Sequence, residues 1–274
     1  MLRSLNTAVS GLQQFQEDID VIGNNIANVN TTGYKDARVD FEDTFSQALG
    51  GGSPSNQVGT GVATGAVQNN FNPGTVNNTG VGSDLAISGQ GFFVVKDATT
   101  SSQFVTRDGT FHLDGSGYLV TNGDQRVQGY SDAGLTTIGD LKIDTTGAPA
   151  TATAGATVSS WSVDKAGKIT VTLSDNTQFV RGQVLLQNYN NPDALIKQGA
   201  NLYVAGSLAG PLAQPAAPGT NGVSSIQSGA LEASNVDLTA EMANLITAQR
   251  AFQANARVIT TSDEILQEVA NLKR

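Results

Sequence analysis

Catalysis by this chain would have to run through His112 and the aspartates around it, Asp108, Asp114 and Asp124. His112 is the one histidine in 274 residues and there is no cysteine. A nucleophile–base pair would therefore depend on His112, while thiolate chemistry, disulfides and cysteine-held metals are excluded. Between Phe111 and Leu113 in a strand-like segment, His112 points to the face opposite theirs, the setting of a solvated strand residue. Facing carboxylates could cleave a glycan, and a group of them could hold calcium. Yet Asp108 and Asp114 each precede a glycine and Asp124 follows one, so turn conformation accounts for them first. No EF-hand loop or regular Asp/Gly repeat accompanies them. The expectation is a chain that is not an enzyme, with no catalytic, metal or cofactor-binding residue and no cofactor.

Composition narrows the class further. Lys plus Arg is 15 against Asp plus Glu 24, a formal charge of −9, which opposes contact with phosphate backbones or anionic lipid. Nucleic acid is not an expected partner. No run approaches the ~18 consecutive apolar residues of a membrane span, so membrane insertion is not expected either. The first residues also lack a basic stretch followed by an unbroken apolar one, since Asn6, Gln13, Gln14, Glu17 and Asp18 interrupt it. By standard signals the protein is then either cytoplasmic or exported by a route that reads something else, without a cleaved signal peptide. Charged residues make up 14%, aromatic residues 6%, and glycine contributes 31 positions, which favours turns and β-edges around a thin core.

The elements follow from periodicity. Leu5, Leu12, Ile19 and Ile26 fall seven apart, and Ala8, Phe15, Ile22 and Val29 lie three residues after each. That is an apolar seam of four heptads, predicting a helix of about 40 Å from Ser4, as cap, to the Asn30–Gly33 turn. Gly11 and Gly23 inside it cost about 1 kcal/mol each against alanine and, with Ala8 and Ala27, permit close approach of a neighbouring helix. At the other end Leu238, Leu245, Phe252, Ile259 and Leu266 repeat every seven, with Met242, Ala256 and Ala270 between them; Gln249 and Asp263 interrupt this second row. Ser234, Asn235 or Asp237 could cap the closing helix, and Lys273 and Arg274 suit its C-terminal dipole.

Between the helices the chain reads as β-structure. Residues 35–80 form an extended connector by composition, with Phe41 and Phe45 four apart and Pro54 and Pro73 in a Gly/Asn/Thr-rich stretch. A β-rich body spans 81–225, as one domain or as subdomains 81–140 and 158–205, opening with Leu85, Ile87 and Phe92–Val95 and continuing as a meander through Tyr130. Residues 226–234 return to the last helix. The expected class is α+β: N- and C-terminal helices (1–34 and 235–274) pairing as a coiled coil and serving polymerisation, around a central, mainly antiparallel β domain.

Several motifs resemble one family. Ser10-Gly11-Leu12, Gly23 to Asn28 with Asn24, Asn25, Ala27 and Asn28, and Thr32-Gly33-Tyr34-Lys35 are similar to the N-terminal pattern of bacterial flagellar rod and hook proteins. Asp84 to Phe93 and Thr106 to Phe111 resemble that family's β-domain, and Gln187 to Tyr203 the segment leading out of it. Ser228 to Leu238, including Ser234, Asn235 and Val236, and Gln249-Arg250-Ala251 within Ala248–Asn255 resemble its C-terminal pattern. The resemblance implies an axial subunit, exported unfolded by the flagellar export apparatus and polymerising with copies of itself between adjoining rod, hook-cap and junction proteins.

Within the family, Gln68 to Phe71, Val127 to Tyr130 and the ending Asn271 to Arg274 are hook-like and point to the torque-transmitting hook. The length of 274 residues is closer to the distal rod, the alternative. A secreted coiled-coil adhesin would share the heptads and β-body. Seams buried only by neighbours leave the isolated ends frayed, so limited proteolysis of the purified chain is expected to trim both termini and leave a resistant core beginning near residue 80. Full protection of residues 1–30 in the monomer would contradict this.

Overall fold

The computed structural model describes residues 2–48, 57–153, 155–211 and 214–272. The architecture is α+β, with a helix near each end of the chain and antiparallel sheet between them. Two units divide the chain: one takes 1–29, 35–70 and 236–274, the other 30–34 and 71–235.

In the first unit, α1 runs Leu2–Ala27 and α2 runs Leu238–Leu272. Ser4 lies inside the first turn of α1 rather than ahead of it. The helix stops where Asn28 turns its side chain back, its Nδ2 donating to the Asn24 carbonyl at 2.9 Å and to Asn24 Oδ1 at 3.0 Å. Of the three candidate caps for α2, Asp237 serves: its Oδ1 accepts the N–H groups of Thr239 at 2.8 Å and Ala240 at 3.3 Å, satisfying donors that have no carbonyl partner in the first turn. Lys273 and Arg274 lie outside the described residues.

Much of the stretch read as an extended connector is paired. Ala37–Asp43 runs antiparallel to Val62–Asn69, with a register shift between Asp40 and Phe41, and Ser46–Ala48 pairs with Gln57–Gly59. The first of these strands does alternate, with Ala37, Val39 and Phe41 set between Arg38, Asp40 and Glu42, but its partner Val62–Asn69 does not, and the Gly/Asn/Thr-rich composition around them reads as loop. Pro54 and its neighbours at 49–56 lie outside the described residues. Phe41 joins the hairpin, whereas Phe45 stands between strands and is 93% exposed.

The second unit is one continuous antiparallel sheet with added ribbons. Its strands follow in space as Val158–Val163, Lys168–Leu173, Gln178–Val184, Gln125–Tyr130, Phe92–Asp97, Gln103–Thr106, Leu202–Ala205 and Leu195–Gly199. The segments 81–140 and 158–205 thus share a sheet through pairing of Gly129 with Val184 and Tyr130 with Gln183. Two ribbons bring the end of the unit back to its beginning: Ser225–Ser228 pairs with Leu85–Ser88, and Ala230–Glu232 with Val76–Asn78.

Strand Phe92–Asp97 explains why the apolar run FFVV is unbroken. Phe93 and Val95 point into the larger core with Leu85, Phe111 and Leu186, while Phe92 and Val94 point into a second cluster with Val105, Tyr189 and Tyr203. A strand covered on both faces needs no polar alternation. Rings replace bulk in this aromatic-poor chain: Phe93 meets Phe111 edge-on at 5.0 Å, and Phe71 lies 5.4 Å from Phe92 and 5.3 Å from Tyr203. Phe93→Ala is expected to cost about 3–5 kcal/mol in denaturant unfolding. His112→Ala, at an exposed position, should stay within about 0.5 kcal/mol.

Candidate assembly surface

The candidate surface is helical and belongs to the first unit. A Cβ at Gly11 would sit 2.7 Å from Nδ2 of Asn255, so α2 crosses α1 where the side chain is smallest. Phe15, Asp18 and Ile22 share a groove with Glu241, Asn244 and Ala248. Residue numbers rise on α1 as they fall on α2, and the two helices run antiparallel.

On α1, Ala8 and Ile22 are buried, with Phe15 half-buried between them; Gly11 and Asn25 are buried beside them. Leu5, Leu12, Ile19, Ile26 and Val29 are half-buried. Gly23 and Ala27 face solvent. On α2, Leu245, Phe252, Ile259 and Leu266 are half-buried and alternate with Glu241, Ala248, Asn255 and Ser262, of which Ala248 and Ser262 are buried. The second row therefore lies three residues after each large apolar residue, not four. Met242, Ala270, Gln249 and Asp263 are exposed, Ala256 is half-buried, and Leu238 is 44% exposed. Sequence reading favoured Met242, Ala256 and Ala270 because they are apolar; Asn255 and Ser262, being polar, gave no hydrophobic signal.

The hairpin clasps an adjacent face of α1. Ser10 Oγ accepts the Val62 N–H at 3.4 Å, the Thr64 hydroxyl donates to Glu17 Oε2 at 2.5 Å and also to Gln14, and Phe15 meets Phe41 edge-on at 6.0 Å. Asn25 completes it, donating to the Ala37 carbonyl at 2.8 Å and accepting the Ala37 N–H at 3.1 Å. Burial raises the Asp18 carboxyl above its usual range. Burial also raises Glu241, opposed by a hydrogen bond from Asn25 and reinforced by the charges of Asp36, Asp18 and Asp237. Raised acids favour the folded unit when protonated; that contribution is complete below the unfolded carboxylate pKa and lost as pH rises through the folded values.

Of the other signature residues, Thr32, Gly33, Tyr34, Ser234 and Asn235 belong to the second unit, which buries an ion pair that sequence reading missed. Arg107 Nη1 donates to Glu232 Oε2 at 3.2 Å, with the two side chains only 2% and 1% exposed. The Arg107 guanidinium lies 5.0 Å over the Phe92 ring, and Glu232 Oε1 accepts the Gly74 N–H at 2.9 Å. Burial lowers the Arg107 pKa, and the Glu232 charge opposes that shift. Gly33 presses on this site: its N–H donates to the Glu232 carbonyl at 2.8 Å. Gly33 has φ +66°, and a Cβ there would fall 2.6 Å from the Asp108 nitrogen, so no side chain fits. Beside it, Asn201 Nδ2 donates to the Thr32 carbonyl at 2.9 Å and Lys197 Nζ lies 4.7 Å over the Tyr34 ring. Asn235 donates to the Asn72 carbonyl at 3.3 Å. Lys35 is buried, Asn24 exposed, and Ser234 and Val236 half-buried. Arg250 is exposed next to Gln249, with Ala251 half-buried.

The aspartates around His112 act as turn formers. Asp108 Oδ1 accepts the Thr110 N–H at 3.0 Å, Asp114 Oδ1 accepts those of Ser116 and Tyr118 at 2.8 Å each, and Asp124 takes a left-handed φ of +62°. Among the described residues there is no cluster of metal-ligating side chains. The hook-like residues are also structural: Val127 is core, Gln128 donates to Asp140 Oδ1 at 2.7 Å, Gln68 pairs with Arg38 across the hairpin, and Phe71 enters the second core.

Three family profiles match in the order in which these elements occur. Residues 5–35 match flagella basal body rod protein, 86–171 the flagellar hook protein FlgE/F/G D1 domain, and 227–272 the flagellar basal body rod FlgEFG protein C-terminal region. The chain belongs to the flagellar basal-body rod and hook protein family. It is 41% identical over 283 residues to the flagellar basal-body rod protein FlgG of Bacillus subtilis strain 168, covering 100% of both chains. It is 34% identical over 292 residues to FlgG of Borreliella burgdorferi, again covering 100% of both. The flagellar hook protein FlgE of Helicobacter mustelae is 45% identical over 140 residues, which is 47% of this chain and 31% of the hook protein. This axial protein is therefore a structural subunit of the flagellum, in a family of motility structures and not of enzymes.

Arg107→Ala and Glu232→Ala should each cost about 3–5 kcal/mol, because either strands a buried charge. The double variant should cost clearly less than their sum in denaturant unfolding. Additive losses would show that the two residues are not coupled.

Proposed function

We propose that this chain is the distal rod subunit of the flagellar basal body, polymerising through its terminal helices into the straight shaft that carries motor torque outward. The observation that carries this reading is coverage: the relatives named basal-body rod protein align from end to end, whereas the hook protein aligns over less than half of this chain and a third of its own length. The hook reading rested on Gln68 to Phe71 and Val127 to Tyr130. Packing and strand pairing account for Gln68, Phe71, Val127 and Gln128, so these positions do not separate hook from rod. Part of the third hook-like motif, Lys273 and Arg274, falls outside the described residues.

Assembly in this reading completes what the isolated chain leaves open. The seam residues Leu5, Leu12, Ile19, Ile26, Val29 and Leu238 keep partial exposure that packing in a polymer would remove, as a coiled-coil arrangement does. Copies joined by non-closing contacts extend as a helix, with adjoining rod, hook and junction proteins at its ends. The absence of cysteine suits export of an unfolded chain through the flagellar apparatus without a cleaved signal peptide.

Electron microscopy of basal bodies from cells lacking this chain is expected to show rods that stop before the outer rings. A complete rod with rings but no hook would make the chain the hook subunit. In cells carrying Ile19→Asp or Leu245→Asp, the β-domain should fold and polymerisation fail, because a charge enters the helical seam; normal polymers with either variant would refute the seam.

A further inference from the structure

The groove between α1, the hairpin and α2 encloses about 290 Å³. Phe15, Val21, Val39 and Phe41 give it apolar walls, and its polar lining carries Asp18 and Glu241 together with Arg38, whose charge is already engaged by Asp40 at 3.2 Å. Glu241 Oε2 is buried with no hydrogen-bond partner among the described residues, and Asp18, Asp36 and Asp237 add like charge to its surroundings. This wall has apolar area to cover and negative charge to neutralise.

The complement lies on the outer face of α2. Ile246, Arg250, Gln253 and Arg257 are spaced four, three and four apart and all are exposed, Ile246 by 53%. They form a row distinct from the one that α2 buries within its own unit, which is Leu245, Ala248, Phe252 and Asn255. Among the described residues, neither Arg250 nor Arg257 has an ion pair, and neither side chain has a hydrogen bond.

We propose that the outer row of α2 from a second copy of this chain seats in the groove, with Arg250 against Asp18 and Glu241 and Ile246 against the apolar wall. Donor row and acceptor groove are different surfaces of one chain, so the contact is heterologous and propagates instead of closing as a dimer. Desolvation strengthens the attraction between guanidinium and carboxylates. The inference rests on the self-assembling reading above and names the residues that would carry one of its contacts.

A chain without cysteine permits a direct test. Basal bodies isolated from cells producing Arg38→Cys/Gln253→Cys, which pairs a groove residue with a row residue and keeps Arg250, are oxidised and run on a denaturing gel. The expected result is a ladder of dimers, trimers and higher species, absent from either single variant. No cross-link, or dimers alone, would overturn the contact, dimers because they mean an isologous interface. In parallel, Arg250→Glu and Asp18→Arg should each abolish swimming when expressed alone and restore it when co-expressed, since the two chains can then alternate. Normal swimming with Arg250→Glu alone would overturn the contact while leaving the rod reading intact. A complete rod in the deletion strain would overturn the rod reading and leave the ladder as an independent test of the contact.

Discussion

The buried pair of Arg107 and Glu232 is the interaction on which the second unit depends most. A guanidinium and a carboxylate removed from water must satisfy each other and find further polar partners, or the desolvation penalty is uncompensated. Here that requirement fixes four distant segments at once. Arg107 comes from the turn after strand Gln103–Thr106 and Glu232 from the last strand of the unit. Glu232 in turn holds Gly74 through its side chain and Gly33 through its carbonyl. Residues more than 190 positions apart are thereby held in one polar knot, and Gly33 is a glycine because the knot leaves no room for a Cβ.

Around that knot the sheet does the bulk packing with few large side chains. Strand Phe92–Asp97 lies near the middle of the sheet and serves two cores, so each of its apolar residues is used on one face or the other. Edge-to-face rings link the second core into a chain from Phe71 through Phe92 and Tyr203, where edge and face of the π-systems attract. The turns are set by aspartates that accept backbone N–H groups, which accounts for the acidic residues around the single histidine.

The helical unit is built differently. Its helices meet through a small residue, Gly11, and through polar ones, Asn25, Asn255 and Glu241, while large apolar residues stay partly exposed. A packing of that kind is incomplete alone, since half-exposed leucine and isoleucine forgo part of their transfer energy. On the proposed reading, that incompleteness is what a neighbouring subunit would cover.

Sequence alone determined the helices, the family and the β-rich middle, because heptad spacing, turn chemistry and motif order are local properties of the chain. It also marked Gly33, Arg107 and Glu232 as parts of recognisable motifs, and Asp108, Asp114 and Asp124 as turn formers. The hairpin of 37–69 was legible only in its first strand, where Ala37, Val39 and Phe41 alternate with charged residues; its partner Val62–Asn69 carries no such alternation, and pairing across residues 44–61 is not a local signal. The row facing inward on α2 was not legible either: two rows flank each large apolar residue, and the apolar choice, Met242, Ala256 and Ala270, gives way to one holding Asn255 and Ser262. Only tertiary structure decided that Arg107 meets Glu232 and that Arg250 has no partner among the described residues, since partners 125 residues apart are selected by folding, and burial, which gives a charge its consequence, is a property of the packed chain.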